Sequence, residues 1–138
     1  MLFRSQYLNL LRDLQRAHHL AMIFITHNLG IVAKMCDQVA VMYAGRLVES
    51  GPVKQIYNAP AHPYTRALLE SIPRVGDNRK RLTAIDGQPP DPSAPPPGCA
   101  FHPRCPNAMD RCRSEAPPEF RVADAQTSRC WLSDPKTR

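Results

Sequence analysis

The chain has 138 residues, which is enough for one ordinary domain, and it carries a net charge of +6. The charge is spread evenly, because residues 1–73 contain seven basic and four acidic groups and residues 74–138 contain eleven and eight. A nucleic-acid binder concentrates its basic residues on one face or segment, so this distribution argues against nucleic acid as a partner. The sequence shows neither a signal peptide nor an apolar run of membrane-spanning length, so we expect a soluble or peripheral cytosolic protein. In that compartment its cysteines are expected to be thiols or metal ligands rather than disulfides.

Proline divides the chain into two halves. Of the 15 prolines, 11 lie from Pro89 onward. This segregation predicts a globular first half that ends near Ile72 and a loop-rich second half. A globular part of that size is small for an independent hydrophobic core.

The first predicted elements are a helix, a strand and a second helix. Apolar residues recur at spacings of three and four over Gln6–His19, which is the pattern of an amphipathic helix. Ala21–Thr26 is apolar on both faces and predicts a strand of the kind that lies inside a parallel sheet. Asn28 can then cap a helix over Leu29–Cys36, with three apolar side chains inward: Ile31, Val32 and Met35.

A hairpin is the next predicted element. Gln38–Tyr43 and Arg46–Ser50 predict two short strands, and the glycine in their Ala44-Gly45 connection favours a tight turn. Two short helices and a proline-rich linker with a brief strand follow: Val53–Asn58, Tyr64–Ile72, residues 74–98 and Leu82–Asp86.

This layout cannot close its own sheet. Ala21–Thr26 requires parallel neighbours on both sides, and the sequence offers no second strand of that kind. We therefore expect the chain to be the end of a larger fold.

Three consecutive segments resemble one family. Phe24-Ile25-Thr26-His27-Asn28-Leu29, followed by residues 39–51, resembles the last part of an ABC ATPase nucleotide-binding domain. Ala61-His62-Pro63-Tyr64-Thr65-Arg66-Ala67-Leu68-Leu69 resembles a segment of the ATP-binding subunits of oligopeptide, dipeptide and nickel importers. Gly98-Cys99-Ala100-Phe101-His102-Pro103-Arg104-Cys105-Pro106 resembles their C-terminal extension.

The resemblance, which covers roughly residues 6–132, implies the fold class and the domain organisation. It implies an α/β fold, namely the C-terminal fragment of a P-loop ABC ATPase domain followed by a proline-rich, loop-dominated cysteine tail. Residues 6–58 would be the end of the nucleotide-binding domain. Residues 59–98 would form the His-Pro-Tyr helix and the linker, and residues 99–132 the four-cysteine metal-binding extension.

The resemblance also implies a function. The parent protein would hydrolyse Mg²⁺-bound ATP at the cytoplasmic face of the cell membrane and so power peptide import. Its partners would be membrane permease subunits, a second ATP-binding subunit and, indirectly, a substrate-binding protein. The family's phosphate-binding loop, Mg²⁺-supporting aspartate, catalytic glutamate and signature motif do not occur in this sequence. We therefore expect the isolated chain neither to bind nor to hydrolyse ATP.

His27 is the one candidate nucleotide-site residue. It lies at the end of the apolar strand, and ligands bind at the carboxyl ends of strands in such sheets. By resemblance it is the switch histidine, which contacts the ATP γ-phosphate and organises the attacking water. From position alone, a histidine that caps a strand end and serves packing is the competing interpretation. His18, His19 and His62 lack comparable support and are expected to be surface or packing residues.

Four cysteines form the candidate metal site. Cys99, Cys105, Cys112 and Cys130 follow the spacing C-x5-C-x6-C-x17-C. Four thiolates in a proline-rich segment suit either zinc or an iron–sulfur cluster. By resemblance, this extension holds a [4Fe–4S] cluster in some family members, and zinc is the alternative. Independent reduced thiols, or disulfides in a secreted protein, are the other possibilities.

The neighbours of these cysteines add three expectations. Nearby guanidinium groups would stabilise an anionic cluster, and four arginines lie within a few residues of a cysteine: Arg104, Arg111, Arg113 and Arg129. Gln126 stands where many family tails have a histidine. Cys36 lies on the apolar side of a predicted helix and is expected to be a small buried residue.

Two other functions make distinct predictions. A free-standing four-cysteine iron–sulfur or zinc module requires that residues 99–132 fold alone with metal and that the first half be stable without further strands. A nucleic-acid binder requires steep salt-dependent binding, which the dispersed charge disfavours.

Overall fold

The computed structural model describes residues 2–72, 85–91 and 93–137. The chain divides into two compact units, the first ending at Asp37 and the second beginning at Gln38. Within the described residues, no helix combines the length and the apolar character needed to cross a membrane.

The first unit contains two helices, α1 (Leu2–His18) and α2 (Leu29–Met35). Helix α1 begins four residues before the predicted start, because nothing between Leu2 and Gln6 breaks a helix. The Asn28 side chain caps α2 by accepting a hydrogen bond from the Ile31 amide at 3.2 Å, and Val32 and Met35 are buried. The predicted cap and two of the three predicted inward residues are therefore confirmed. Ile31 is only partly buried, and Cys36, expected to be a buried helix residue, is the partly buried C-cap of α2.

The predicted strand at Ala21–Thr26 is wrong for this chain. The segment pairs with none of the strands in the described ranges, and its side chains alternate between exposed and half-buried. Ile23 and Ile25 are 93% and 97% exposed. A strand requires ladder hydrogen bonds to a neighbour, so apolar character alone does not produce one.

The second unit contains a four-stranded antiparallel sheet in the order β1-β2-β4-β3. Its strands are β1 (Gln38–Tyr43), β2 (Arg46–Pro52), β3 (Phe120–Ala123) and β4 (Gln126–Ser128). Three helices accompany them: α3 (Val53–Asn58), α4 (Pro63–Glu70) and α5 (Asp110–Ser114). Short 3₁₀ turns lie at His102–Arg104, Trp131–Ser133 and Pro135–Thr137.

The predicted hairpin is confirmed as β1 and β2. Tyr43 faces Arg46 across the turn, and both Ala44 (φ 46°) and Gly45 (φ 74°) adopt the left-handed conformation. Two left-handed central residues match the twist of the flanking strands. Helix α3 has the predicted bounds, and α4 begins at Pro63, which suits the first turn of a helix because proline has no amide hydrogen to donate.

The cysteine tail, residues 99–132, has more regular structure than its composition predicts. It contains α5, β3 and β4, which together account for twelve of its 34 residues. Strand β4 joins the hairpin by pairing with β2 through Glu49 with Ser128 and Ser50 with Thr127. Most of the predicted strand at Leu82–Asp86 lies outside the described residues.

The hairpin and the cysteine tail share one hydrophobic core. Its buried members come from both, namely Val41, Tyr43, Val48, Ala100 and Phe101. Cys99 and Cys105 pack against this core. A core drawn from both regions argues against a free-standing four-cysteine module, because the tail alone would expose its half of the packing.

Candidate functional site

His27 is exposed and lies immediately before the cap of α2. The Asn28 amide donates a hydrogen bond to the Thr26 hydroxyl at 3.0 Å, which holds the turn around His27. The sequence of a turn, a capping asparagine and a helix is the local arrangement expected from the motif. The contact of His27 with a nucleotide remains a prediction.

The four tail cysteines lie close to one another. Cys99 and Cys105 flank the His102–Arg104 turn, Cys112 lies in α5, and Cys130 precedes the Trp131–Ser133 turn. The Cys99 amide donates a hydrogen bond to the Cys112 carbonyl oxygen at 2.9 Å. Charges on Cys99, Cys105 and Cys112 each raise the pKa of Cys130, and a charge on Cys112 also raises the pKa of Cys99 and of Cys105. Tertiary structure therefore brings together the four residues that their spacing in the sequence had suggested as one cluster.

Gly98 is required for this gathering. It has a left-handed φ of 70°, and a Cβ atom at this position would clash with the Cys112 carbonyl oxygen. Only glycine combines that backbone conformation with so close an approach of two segments. The glycine before the first cysteine therefore fixes the distance between the backbones of Cys99 and Cys112.

Burial raises the pKa of three of these thiols. It raises the pKa of Cys130 to about 12, and it also raises the pKa of Cys99 and Cys105. Backbone amides of Phe101 and Leu132 oppose the rise at Cys99 and Cys130, but they do not cancel it. A thiol in such a setting stays protonated at neutral pH unless a cation stabilises its thiolate.

The donor chemistry of this cluster suits a thiophilic metal, but its arrangement is not that of a closed ligand shell. All five cysteines of the chain are free thiols. In the parts of the chain that the structure describes, no group of three or more His, Cys, Asp or Glu side chains is placed to hold a metal ion. Metal binding by Cys99, Cys105, Cys112 and Cys130 stays a prediction.

Arg104 and Arg111, two of the four arginines expected to face the cysteines, make other contacts. Arg104 donates to the Asp86 and Ile85 carbonyl oxygens at 2.8 and 2.9 Å and to the Tyr43 hydroxyl at 3.3 Å, so it fastens the end of the linker to the hairpin. Arg111 lies 3.5 Å from the centre of the Trp131 ring.

Arg129 lies 3.9 Å from the Glu119 carboxylate, an exposed ion pair. The guanidinium that lowers the pKa of Cys99, although less than burial raises it, is instead that of Arg46. Arg46 follows the hairpin turn and is remote from the cysteines in sequence. Only the packing of Cys99 against the hairpin could have revealed this neighbour.

A buried polar network centred on Glu49 was also missed from sequence. Glu49 is 2% exposed. Its carboxylate accepts hydrogen bonds from the amides of Ala61 and His62 at 2.7 and 3.0 Å and from the Gln126 side chain at 2.8 Å. Gln126 also donates to the Ala59 carbonyl oxygen at 3.0 Å. Gln126 is therefore a buried donor to a carboxylate and not a surface residue.

His62 is the second member of this network and confirms the packing alternative for that histidine. Its Nδ1 accepts a hydrogen bond from the Tyr64 amide at 3.0 Å and so caps α4. Burial lowers the pKa of His62 to about 4, so the ring is neutral at neutral pH. Its ring centre lies 5.9 Å from that of Phe101, and the Tyr64 ring makes tilted contacts with Tyr43 at 4.6 Å and with Phe101 at 5.3 Å.

The sequence of residues 48–112 matches the profile of the family described as "Oligopeptide/dipeptide transporter, C-terminal region". This match begins in β2 and ends at Cys112 in α5. It therefore includes Glu49, His62 and three of the four tail cysteines.

Three curated proteins are similar over nearly all of the chain. The dipeptide transport ATP-binding protein DppD of Bacillus subtilis is 48% identical over 131 residues, which is 95% of this chain and 39% of that protein. The di/tripeptide transport ATP-binding protein DppF of Pseudomonas aeruginosa is 48% identical over 92% of this chain and 39% of its own length. The dipeptide transport ATP-binding protein DppD of Escherichia coli is 42% identical with the same coverage. The chain spans about two fifths of the length of these relatives.

Proposed function

We infer that this chain, which belongs to the C-terminal part of the ATP-binding proteins of oligopeptide and dipeptide ABC transporters, serves in a subunit that uses ATP to power peptide import. The observation that carries this inference is the identity of 48% to a dipeptide transport ATP-binding protein over 95% of the chain. The parent subunit binds ATP with Mg²⁺ and lies at the cytoplasmic face of the membrane. Its partners are permease subunits, a second ATP-binding subunit and, through the permease, a substrate-binding protein.

His27 is the residue that we assign to the nucleotide in the parent subunit. Its exposed imidazole, held at the turn before α2, can donate an N–H group to a phosphate oxygen. When ATP is bound, this contact would form only if the γ-phosphate is present. Loss of the imidazole would therefore remove hydrolysis more completely than nucleotide binding.

Transport by a full-length subunit that contains this chain tests the assignment. The subunit would be assembled with its permease in vesicles, and ATP-driven uptake of a labelled dipeptide would be measured for the parent and for His27→Ala. We expect uptake and ATP hydrolysis to fall by at least about a hundredfold, and a His19→Ala variant to retain both. Normal uptake by the His27→Ala variant would refute the role of this residue.

The isolated chain is proposed to lack ATP binding. Phosphate recognition in this class requires a backbone loop and a lysine around the β- and γ-phosphates, and one exposed imidazole cannot replace them. Calorimetric titration of the 138-residue chain with Mg-ATP should give no measurable heat of binding. Micromolar affinity would contradict the proposal.

We propose that Cys99, Cys105, Cys112 and Cys130 hold a [4Fe–4S] cluster that staples the tail, with zinc as the alternative ligand. The mutual electrostatic contact of the thiols supports a shared ligand. A cation would offset the burial that raises the pKa of Cys99, Cys105 and Cys130. When bound, the cluster supplies cross-linking between four backbone segments.

Anaerobic reconstitution distinguishes the two ligands. Iron and sulfide should give a brown protein with broad visible absorption, and Cys112→Ser should reduce this absorption while Cys36→Ser leaves it unchanged. A colourless protein that retains one equivalent of zinc would favour zinc. If the protein retains neither metal, the proposal that a metal site cross-links the tail is refuted.

A further inference from the structure

We propose that Glu49 couples the cysteine tail to the hairpin, so that the two regions open and close as one cooperative element. The tail here means residues 99–132, and the hairpin means β1 and β2. The inference goes beyond the proposed function, because it holds for the chain whether or not the tail binds a metal and whether or not the parent binds ATP. Whether the tail is folded or open would then determine whether the hairpin is folded or open.

The first step is the shortness of the backbone joint. Strands β2 and β4 are paired at only two positions, Glu49 with Ser128 and Ser50 with Thr127. Two contacts supplement them: the Arg129 amide donates a hydrogen bond to the Val48 carbonyl oxygen at 2.8 Å, and the Ser50 and Thr127 hydroxyls lie 3.0 Å apart. Two residue pairs hold a sheet weakly, so further contacts must decide whether the tail stays docked.

The second step is the position of the Glu49 carboxylate. Its Oε1 accepts from the Ala61 amide and from Gln126, and its Oε2 accepts from the His62 amide. One buried group on strand β2 therefore bonds simultaneously to the turn before α4 and to the tail. In the described ranges no ion pair includes Glu49, so amide N–H groups are its recorded partners.

The third step is the cost of opening only one side. A buried carboxylate that loses a donor keeps its desolvation penalty without the hydrogen bond that compensates it. If the tail left alone, Glu49 would lose Gln126. If the turn before α4 left alone, Glu49 would lose both amides. The less costly route exposes the carboxylate to water on all sides. This route requires the tail and the hairpin to open in the same event.

Two further contacts hold the tail against the hairpin. Gly51 is buried against the tail, where an added Cβ atom would lie 3.1 Å from the Ala125 carbonyl oxygen and from Gln126 Cα. Phe101 of the tail packs against Tyr43 of the hairpin with ring centres 5.1 Å apart. By thermodynamic linkage, a ligand that orders the tail would order the hairpin, and the reverse.

The experiment measures opening on both sides in the metal-free chain under reducing conditions. Iodoacetamide reports access to the tail thiols: a thiolate sulfur displaces iodide, an S–C bond forms and the thiol proton passes to solvent. Peptide mass analysis gives the rate for each cysteine, and amide hydrogen exchange gives the opening of residues 38–52. Cys36, in the first unit, is an internal control thiol.

The variant Glu49→Gln keeps the size of the side chain and replaces one acceptor oxygen by a donor that faces other donors. We expect alkylation of Cys112 and Cys130 and exchange of the hairpin amides to accelerate together, each by roughly tenfold or more. The rate at Cys36 should not change. Glu70→Gln, which alters an exposed carboxylate on α4, should leave all rates unchanged.

Acceleration on one side alone would overturn the proposal, because it would mean that the tail and the hairpin open independently. If Glu49→Gln unfolds the second unit, Gln126→Leu decides the matter, since it removes one donor while preserving side-chain volume. Parallel acceleration of thiols and hairpin amides in this variant would support coupling. Faster thiols with unchanged hairpin amides would refute it.

Discussion

The apolar segment Ala21–Thr26 and the proline-rich cysteine tail behave in opposite ways. The apolar segment exposes Ile23 and Ile25 and joins no sheet in the described part of the chain. The tail is rich in proline and charge, yet it adds two strands to the hairpin and places Phe101 in the core. The comparison teaches that partners within reach, rather than hydrophobicity alone, decide which segment becomes ordered.

The strongest way to break this comparison is to remove Phe101. Phe101→Ala deletes a ring that is 1% exposed and touches both the hairpin and α4. We expect a loss of roughly 3–5 kcal/mol in the free energy of unfolding of the second unit. Urea denaturation followed by the fluorescence of Trp131, the single tryptophan, measures it. Leu132→Ala, at a partly exposed position of the same tail, is the control, and an equal loss in both variants would contradict a shared core.

Acid is the next largest expected effect, through His62. Burial lowers its pKa from 6.5 to about 4, so between these values the unfolded chain binds a proton that the folded chain excludes. The contribution of His62 to stability is therefore full above pH 6.5 and declines as the pH falls toward 4. A shift of this size corresponds to roughly 3 kcal/mol over that interval.

Comparison of two asparagine variants isolates this titration. His62→Asn retains a side-chain oxygen that can cap α4 but cannot be protonated in this range, so its urea midpoint should fall less steeply with acid. His102→Asn should retain the steep decline of the parent chain. Identical pH profiles for the parent and for His62→Asn would show that His62 is not the titrating group.

A smaller effect is expected from Gly98→Ala. The left-handed φ of 70° and the close Cys112 carbonyl oxygen together disfavour any side chain at this position. The variant should lose roughly 1–3 kcal/mol of stability and show faster alkylation of Cys99. Gly45→Ala, which also has positive φ but meets nothing within 4 Å, separates backbone strain from the clash. An equal loss in the two variants would mean that the approach to Cys112 contributes nothing.

The smallest expected change in stability concerns the apolar segment Ala21–Thr26. Ile25→Ser changes a side chain that is 97% exposed, so the stability of the isolated chain should change by less than about 0.5 kcal/mol. In a full-length subunit, where we expect this segment to be a buried strand, the same variant should cost several times more. Thermal unfolding of both proteins tests this. A large loss in the isolated chain would show that the segment is already packed.

Local chemistry made several elements predictable from sequence. Asn28 caps α2 because its short side chain reaches the Ile31 amide three residues later. The hairpin follows from a turn that tolerates positive φ at Ala44 and Gly45. These features depend on neighbours in the chain, and such neighbours are visible in the sequence. The grouping of four cysteines as one cluster was also suggested by their spacing, and the structure brings their thiols near one another.

Sequence by itself therefore determined the Asn28 cap, the hairpin, the helices α2, α3 and α4, and the resemblance to the family. Tertiary structure alone decided that Ala21–Thr26 forms no strand in this chain and that the tail supplies two. It also decided that Glu49 and His62 are buried and that Arg46, rather than an arginine near a cysteine in sequence, faces Cys99. The physical reason is distance along the chain. Caps and turns are bonds between residues a few positions apart, whereas burial and charge neighbours depend on segments that meet only after folding.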